Sequence, residues 1–365
     1  MSGMGYREQL AAKQARISEL LRPFCRVEPI VGMEEPFHYR NKTHAVLAQD
    51  RRGGIISGVY RAGTHEVVPV ERCLIENEKA DAIIATVREL MHTFRLPVYD
   101  EDRRTGLLRH VLIRTAHKTG QILAVLVAAK PELPRKNDFV KALLRAHPEI
   151  TSVVLNVNAR RTSMVLGEQE ITLYGPGFIE DELCGRRFRI SAQSFYQINS
   201  VQTEKLYQKA LEFADLKGNE TVLDAYCGIG TIGLTAAAHC GQVIGVELNR
   251  SAVRDAIANA KRNRIGNARF YCGDAGCFLL ERAARQEPLD VLLMDPPRSG
   301  SDENFLRAVC TLRPQRVVYI SCGPDTLARD LKYLTAHGYR AVRAAPFDLF
   351  PATEHVETVV LMSRR

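Results

Sequence analysis

The chain contains no tryptophan, so any stacking on a planar ligand falls to its 13 Phe, 12 Tyr, 10 His or its arginines. Its nine cysteines are odd in number and form no C-x-x-C pair. That argues against a disulfide framework or a zinc ribbon, and for a reducing, cytoplasmic setting. The longest apolar run, Ile122–Ala129, is far short of the ~20 residues a membrane helix needs. The opening Met1-Ser-Gly-Met-Gly has no basic region before a hydrophobic block, so no signal peptide is expected. Internal repeats and low-complexity tracts are also missing.

What is present suits a globular chain of two domains, or three. There are 365 residues, 45% of them hydrophobic, ample for sizeable cores. Fifty Lys and Arg against 42 Asp and Glu leave a net charge of +8. The basic residues gather as Arg40, Lys42, Arg51 and Arg52; as Arg103, Arg104, Arg109 and Arg114; and as Arg160 with Arg161. Mild basicity is common among soluble proteins, but clusters of this kind also suit contacts to phosphates.

Taken in order, Tyr6–Arg22 has helical spacing of Leu10, Ile17, Leu20 and Leu21 and stops at Pro23. From Pro36 to about Ile190 the pattern is α+β. Strands are expected at 43–49, 54–60, 110–116, 122–128 and 151–157, with helices at 78–94 and 138–147. The expected sheet is antiparallel. An amphipathic helix at 201–214 follows. Strands and helices then alternate: strands near 221, 242, 268, 289 and 316, each followed by a helix, with a final pair from Tyr339 and over 355–363. Such alternation predicts a doubly wound, mostly parallel α/β sheet. The last two strands lack a helix between them and should pair antiparallel. Three segments are expected: an N-terminal helix (1–25) packed on the catalytic domain, a central α+β domain (26–190), and a Rossmann-like domain (191–365).

Three strand ends of that sheet carry the chemistry, since ligands in open α/β sheets bind beyond the carboxyl ends of the strands. Asp224-Ala-Tyr-Cys-Gly-Ile-Gly-Thr-Ile-Gly233 joins a strand to a helix, and Gly228 and Gly230 let backbone approach a ligand. Glu247 ends the next strand, where a carboxylate can accept ribose hydroxyls. This pattern fits a nicotinamide dinucleotide as well as S-adenosylmethionine. Asp274, in Cys272-Gly-Asp274, is either a helix N-cap or a side chain facing adenine. Asp295-Pro-Pro-Arg298 closes another strand, and its prolines stiffen the loop. Arg298 can hold a phosphate or a base carbonyl, or pair with a carboxylate. Cys322 follows Arg316–Ser321 at a Gly-Pro turn, with a helix expected from Thr326. It is a small buried hydrophobe or a nucleophile. A dehydrogenase has no need of Asp-Pro-Pro-Arg beside Ser-Cys-Gly, which favours S-adenosylmethionine.

With those residues in hand, the chain resembles the RNA uracil-5 methyltransferases, in particular their ribosomal-RNA branch. The resemblance rests on Phe195-Tyr-Gln-Ile-Asn199, Leu223–Gly230, Asp295-Pro-Pro-Arg-Ser-Gly300, Tyr319-Ile-Ser-Cys322, Thr326-Leu-Ala-Arg-Asp330 and Phe350-Pro-Ala-Thr-Glu-His-Val-Glu357. Tyr39-Arg-Asn-Lys42 and Leu108-Arg-His110 are similar to the family's central RNA-binding domain. The resemblance implies an S-adenosylmethionine-dependent enzyme acting on ribosomal RNA in preference to transfer RNA, as a monomer without membrane attachment. It implies Cys322 as nucleophile and Glu357 as the base removing the C5 proton. It implies cofactor contacts at Gln197, Tyr226, Gly228, Gly230, Thr231, Glu247, Asp274 and Asp295. Phe195, Arg298, Arg40 and Lys42 are the implied RNA contacts.

Apart from the resemblance, Glu357 also reads as an exposed carboxylate on an edge strand. An RNA cytosine-5 methyltransferase shares the thiolate logic, and an RNA-binding assembly factor with a vestigial site shares the fold. Two departures stand out. Gly323 follows the cysteine where the family usually has Asn, and Thr231 stands where it often has Asn. Many ribosomal-RNA members also carry an N-terminal barrel and a four-cysteine iron–sulfur cluster. Cys73, in Val70-Glu-Arg-Cys-Leu74, resembles the last cluster ligand, but the earlier three are missing and Cys25 stands alone. No iron–sulfur cluster is expected in this chain. A thiol ionising ordinarily near pH ~8.5 needs help from its site, and a following helix N-terminus is one source.

Overall fold

The computed structural model describes residues 3–160 and 164–365; Arg161, one of the expected basic cluster, lies outside them. In chain order, α1 (Tyr6–Leu21) and β1 (Arg26–Val27) precede β2 (Lys42–Gln49), β3 (Ile55–Tyr60), β4 (Val67–Pro69), α2 (Glu78–Thr93), β5 (Leu108–Thr115), β6 (Ile122–Ala128), α3 (Lys136–Ala146), β7 (Ile150–Val157), β8 (Gln169–Tyr174), β9 (Ile179–Leu183) and β10 (Arg186–Ile190). Then come α4 (Ser200–Ala214), β11 (Thr221–Ala225), α5 (Thr231–Ala236), β12 (Gln242–Glu247), α6 (Arg250–Arg262), β13 (Ala268–Cys272), α7 (Ala275–Ala284), β14 (Val291–Met294), α8 (Glu303–Leu312), β15 (Arg316–Ser321), α9 (Pro324–Ala336), β16 (Tyr339–Phe347) and β17 (Glu357–Arg364). No helix among the described residues is long and apolar enough to cross a membrane.

The chain divides into two compact units. One comprises the chain up to Pro36, Leu183–Phe188 and Ser194–Arg365; the other comprises Phe37–Glu182 and Arg189–Gln193. The first is built on a sheet ordered β1-β16-β17-β15-β14-β11-β12-β13. Its strands run parallel except β17, which is antiparallel to both β15 and β16. Strand order reverses between β11 and β14, which pair in parallel with Ala225 opposite Met294. The loops beginning at Tyr226 and Asp295 therefore leave the sheet side by side, flanking the crevice expected at such a switch point.

Helix α1 belongs to this unit. Its buried positions Gln9, Lys13, Ile17 and Leu21 recur every fourth residue and so share one face. Ile17 and Leu21 join the core of Leu223, Leu292, Tyr319 and Val360, all fully buried. Lys13 Nζ, also buried, donates to Asp348 Oδ1 at 2.6 Å and to the Phe350 carbonyl at 3.1 Å. The Gln9 amide oxygen accepts the Ala352 N–H at 3.0 Å. From α4, Gln202 and its N-cap Asn199 donate to the carbonyls of Asp348 and Leu349. Residues 348–352 are thus fixed from two helices just before Glu357.

The second unit has a seven-stranded sheet ordered β4-β3-β2-β5-β6-β7-β8. It is mixed, not antiparallel as the sequence suggested: β6 and β7 are parallel, joined by a crossover through α3. β6 is buried along its whole length, and its continuous apolar run fits a strand covered on both faces. Ile83, Val87 and Met91 of α2 and Phe139 and Leu143 of α3 form one core with Val111, Ile113, Ala124, Leu126 and Val153 of the sheet.

Breaking the buried Lys13–Asp348 pair leaves a carboxylate without its partner. Lys13→Met is expected to lower stability by about 3–5 kcal/mol in urea unfolding. The double variant Lys13→Met/Asp348→Leu is expected to recover most of that loss.

Candidate active site

Antiparallel pairing of β15 with β17 sets Ser321 opposite Thr358. One further step along the ladder brings Cys322 alongside Glu357. β17 is an interior strand, so Glu357 is no edge carboxylate; it is 2% exposed. Asp295 leaves the end of the neighbouring β14, and Arg298 follows it on the same loop, exposed. The Gln197 amide reaches Asp295 Oδ2 at 3.5 Å. Cys322, Glu357, Asp295, Arg298 and Gln197 therefore form one cluster.

The turn after Cys322 differs from the sequence reading. Gly323 is the N-cap of α9 and Pro324 its first residue, so the Gly-Pro pair opens the helix. The Thr326 hydroxyl lies 2.9 Å from both the Arg298 and Gly323 carbonyls. A Cβ on Gly323 would sit 2.7 Å from the Arg298 carbonyl oxygen and 2.6 Å from Thr326 Oγ1. The absence of a side chain at 323 is what admits the Arg298 backbone, and this accounts for glycine at the departure noted above.

The electrostatics run against easy ionisation. Burial pushes the half-buried Cys322 thiol up to about 11, the Glu357 and Asp295 carboxylates push the same way, and Arg298 pulls down by its charge and by a hydrogen bond. Burial raises Glu357 well above the usual carboxylate range, Asp295 adds to it, and Arg298 opposes. Burial likewise raises Asp295, against the Gln197 amide. Arg298 thus acts on both the thiol and Glu357.

The glycine loop lies one strand further along. Tyr226, Gly228 and Gly230 have φ of 64°, 54° and 84°, a left-handed run that is rare for a bulky residue. The Gly228 N–H donates to Glu247 Oε2 at 3.0 Å and the Asn249 N–H to Oε1 at 2.8 Å, which fixes the carboxylate at the strand end. A Cβ at Gly228 would meet nothing within 4 Å, so the backbone there borders open space. Thr231 Oγ1 lies 3.0 Å from the hydroxyl of buried Tyr207. Asp274 is the N-cap of α7, accepting the Cys277 N–H at 2.8 Å through Oδ1. The cap occupies one oxygen and is compatible with a ligand role for the other.

Sequence reasoning missed two supports. Asp224, 1% exposed, accepts the Gly233 N–H at 2.8 Å, and a Cβ at Gly233 would lie 2.7 Å from the same carboxylate. Its position at the end of a strand before a glycine loop was the available signal. Asp330, fully buried, accepts the Tyr319 hydroxyl at 2.7 Å and the Ser301 N–H at 2.8 Å, tying α9 to the loop that carries Asp295 and Arg298. Phe195 is 68% exposed, beside buried Tyr196 and Gln197.

Arg40 and Lys42 belong to the other unit. Lys42 pairs with Arg114 across β2 and β5. Its ammonium is pushed down to about 8 by burial first, then by Arg114 and Arg40. Arg109 and Arg114 are each 3% exposed, so these two are interior and not part of an open phosphate-binding surface. Among the described residues no group of three or more His, Cys, Asp or Glu could hold a metal ion.

The doubly wound sheet with its inserted antiparallel strand, and the chemistry at its carboxyl edge, define a Rossmann-like methyltransferase fold. The sequence profile of the tRNA (Uracil-5-)-methyltransferase family matches residues 5–278 and 282–365, and the chain belongs to that family. A Bacillus cereus protein described as an uncharacterized RNA methyltransferase is 42% identical over 364 residues, 98% of this chain and 79% of that protein. A Staphylococcus aureus protein of like description is 40% identical over 365 residues, 99% and 80%. The crystal structure of Pyrococcus abyssi tRNA (uracil-54, C5)-methyltransferase, in complex with S-adenosyl-L-homocysteine, superposes with a TM-score of 0.81 at 26% identity, covering 98% of this chain and 84% of that one.

A thiol raised to about 11 carries less thiolate at pH 8 than free cysteine does. Iodoacetamide labelling of Cys322, followed by peptide mass mapping, is expected to be several-fold slower than for the exposed Cys272 and Cys277. Labelling should climb as pH rises toward 11. Arg298→Ala removes the pull downward and should slow it further at every pH below that.

Proposed function

We propose that the chain methylates C5 of a uridine in structured RNA, using S-adenosylmethionine and a covalent bond between Cys322 and C6 of the base. The observation that carries this is the single cluster of Cys322, Glu357, Asp295 and Arg298 on adjoining strand ends. Ribosomal RNA is the favoured substrate, because Phe195-Tyr-Gln-Ile-Asn199 and the Tyr174-Gly-Pro-Gly-Phe178 region resemble the family's ribosomal-RNA branch. Both the family description and the Pyrococcus neighbour concern transfer RNA, so both RNAs belong in the test.

The cofactor reading is supported by the open backbone at Gly228, the fixed Glu247 carboxylate and the N-cap Asp274 on successive strand ends. Gln197, Tyr226, Gly230, Thr231 and Asp295 complete the candidate contacts. When bound, S-adenosylmethionine supplies an electrophilic methyl group on a sulfonium centre.

The chain's residues would act as follows. Cys322 Sγ, as thiolate, adds to C6 of uracil, which turns the ring into an enolate and makes C5 electron-rich. Arg298 favours both the thiolate and the developing negative charge. C5 then takes the methyl group. Glu357, ionised at this stage, removes the C5 proton; the ring re-forms its C5–C6 double bond and expels the thiolate. A carboxylate held in an apolar site with a raised pKa has the basicity this step requires. Phe195, exposed beside Gln197, offers a face for the extruded base, which must leave its stack to reach the thiol.

The test uses RNA carrying 5-fluorouridine, whose C5 fluorine cannot leave as a proton does. With S-adenosylmethionine, a protein–RNA adduct on Cys322 is expected by mass, and Cys322→Ala should abolish it. On ordinary RNA, Glu357→Gln should lower turnover by about 10²–10⁴-fold while the adduct accumulates. Binding of RNA and cofactor without any adduct, on ribosomal and transfer RNA alike, would overturn the reading.

A further inference from the structure

Attack of Cys322 on C6 decides which side of the target nucleotide faces the thiol. In an anti pyrimidine nucleotide, C6 lies over the 5′ side of the ribose. The 5′ phosphate therefore arrives next to the turn that carries Cys322. That turn is Cys322-Gly-Pro-Asp-Thr326, which opens α9. A phosphate there needs a cation that is exposed and able to change partners.

The basic side chains around the turn differ in how firmly they are held. Lys13 is fully buried against Asp348 and the Phe350 carbonyl. The Arg329 guanidinium spans Asp330 and the carbonyls of Ser299 and Ser301. Arg298 hydrogen-bonds the Cys322 thiol and is engaged in the chemistry above. Arg16 of α1 differs from all three. Its Nη2 donates to Asp325 Oδ2 at 3.1 Å, and the two side chains are 46% and 77% exposed. An ion pair this open is weakly held, because solvent screens it. Asp325 lies in the first turn of α9, where the positive end of the helix dipole favours its carboxylate even without Arg16. The pair therefore opens at little cost. His355 sets Arg16 at the mouth of the site: burial lowers the His355 pKa, and the charges of Arg298, Lys13 and Arg16 lower it further, against Glu354. Arg16 and Arg298 thus act on the same ring.

We propose that Arg16 leaves Asp325 and holds the phosphate on the 5′ side of the methylated uridine, so that the Arg16–Asp325 pair is a latch opened by the substrate RNA. The proposal rests on the RNA-methyltransferase reading and deepens it: α1, whose other face serves the core, becomes part of the substrate site. A guanidinium suits the task because it meets two phosphate oxygens at once.

The first measurement is binding of the full chain to a fluorescein-labelled uridine decamer across a salt series. Arg16→Gln is expected to weaken binding several-fold and to reduce the slope of log affinity against log salt by about 0.7, the share of one single-strand phosphate. Arg7→Gln, which removes the same charge from the opposite side of α1, should leave the slope unchanged. Asp325→Asn releases Arg16 and should tighten binding, and in the Arg16→Gln background that gain should shrink toward nothing. The second measurement places the contact. In the 5-fluorouridine RNA, a methylphosphonate 5′ to the fluorouridine should slow adduct formation in wild type and have little effect in Arg16→Gln. Equal slopes for Arg16→Gln and Arg7→Gln, or a methylphosphonate effect that is the same in wild type and Arg16→Gln, overturns the proposal. An adduct that forms without these signatures defeats the latch alone. A slope change specific to Arg16, with no adduct on ribosomal or transfer RNA, defeats the functional reading while the phosphate contact stands.

Discussion

The insertion of β17 between β15 and β16, against the direction of every other strand in its sheet, is the constraint on which the site depends. It aligns Glu357 with Cys322 and buries Glu357 near the end of β14. Successive side chains on a strand face opposite ways, so a register slip of one residue would turn Glu357 away from the thiol. The eight-residue span of β17, whose first four residues are all buried, and the clasp of residues 348–352 by α1 and α4 hold that register. The carboxyl groups and the thiol then share one poorly solvated space beside the Arg298 guanidinium, and burial there favours their uncharged forms. Desolvation of this kind is what gives a carboxylate the basicity of a useful proton acceptor, at a cost in stability that the surrounding ladder offsets.

Around that centre, short-range geometry does the positioning. Gly323 admits the Arg298 carbonyl, Thr326 bonds it, and Asp330 holds the Ser301 N–H. Helix α9 thereby connects the turn that carries Cys322 to the loop that carries Asp295 and Arg298. Asp224 does the same for the glycine loop through Gly233. In both cases a buried carboxylate accepts a backbone N–H: Asp330 of α9 from the loop before α8, and Asp224 of β11 from the first turn of α5.

Much of this was legible in the sequence. The alternating strands and helices, the antiparallel final pair and the three strand-end motifs are local patterns, and local patterns survive in one dimension. Other features depended on distant partners. Nothing near Lys13 announces Asp348, since the two are 335 residues apart. Arg109 and Arg114 read as surface charge because a basic cluster does not reveal that its members face inward. The parallel pairing of β6 with β7 was hidden because a strand–helix–strand crossover and two separate antiparallel edges share one hydropathy pattern. The rise in the Cys322 pKa was hidden because the burial and the two carboxylates that cause it are set by tertiary packing.

The first unit is also discontinuous along the chain. Helix α1 and β1 are made before the second unit, yet β1 pairs with β16 and α1 packs beneath residues 348–352. The second unit, almost entirely Phe37–Glu182, lies between these pieces and has its own core. On the ribosome it has everything it needs once residue ~193 has emerged. Residues up to Pro36 instead wait, with Ile17, Leu21 and the buried-type Lys13 still in water, until β16 and residues 348–352 have been made. Domains commonly complete themselves in order from the amino end; here the inner unit can finish before the outer one that began first. The span between those two events is the interval in which α1 is open to chaperones or to a second nascent chain.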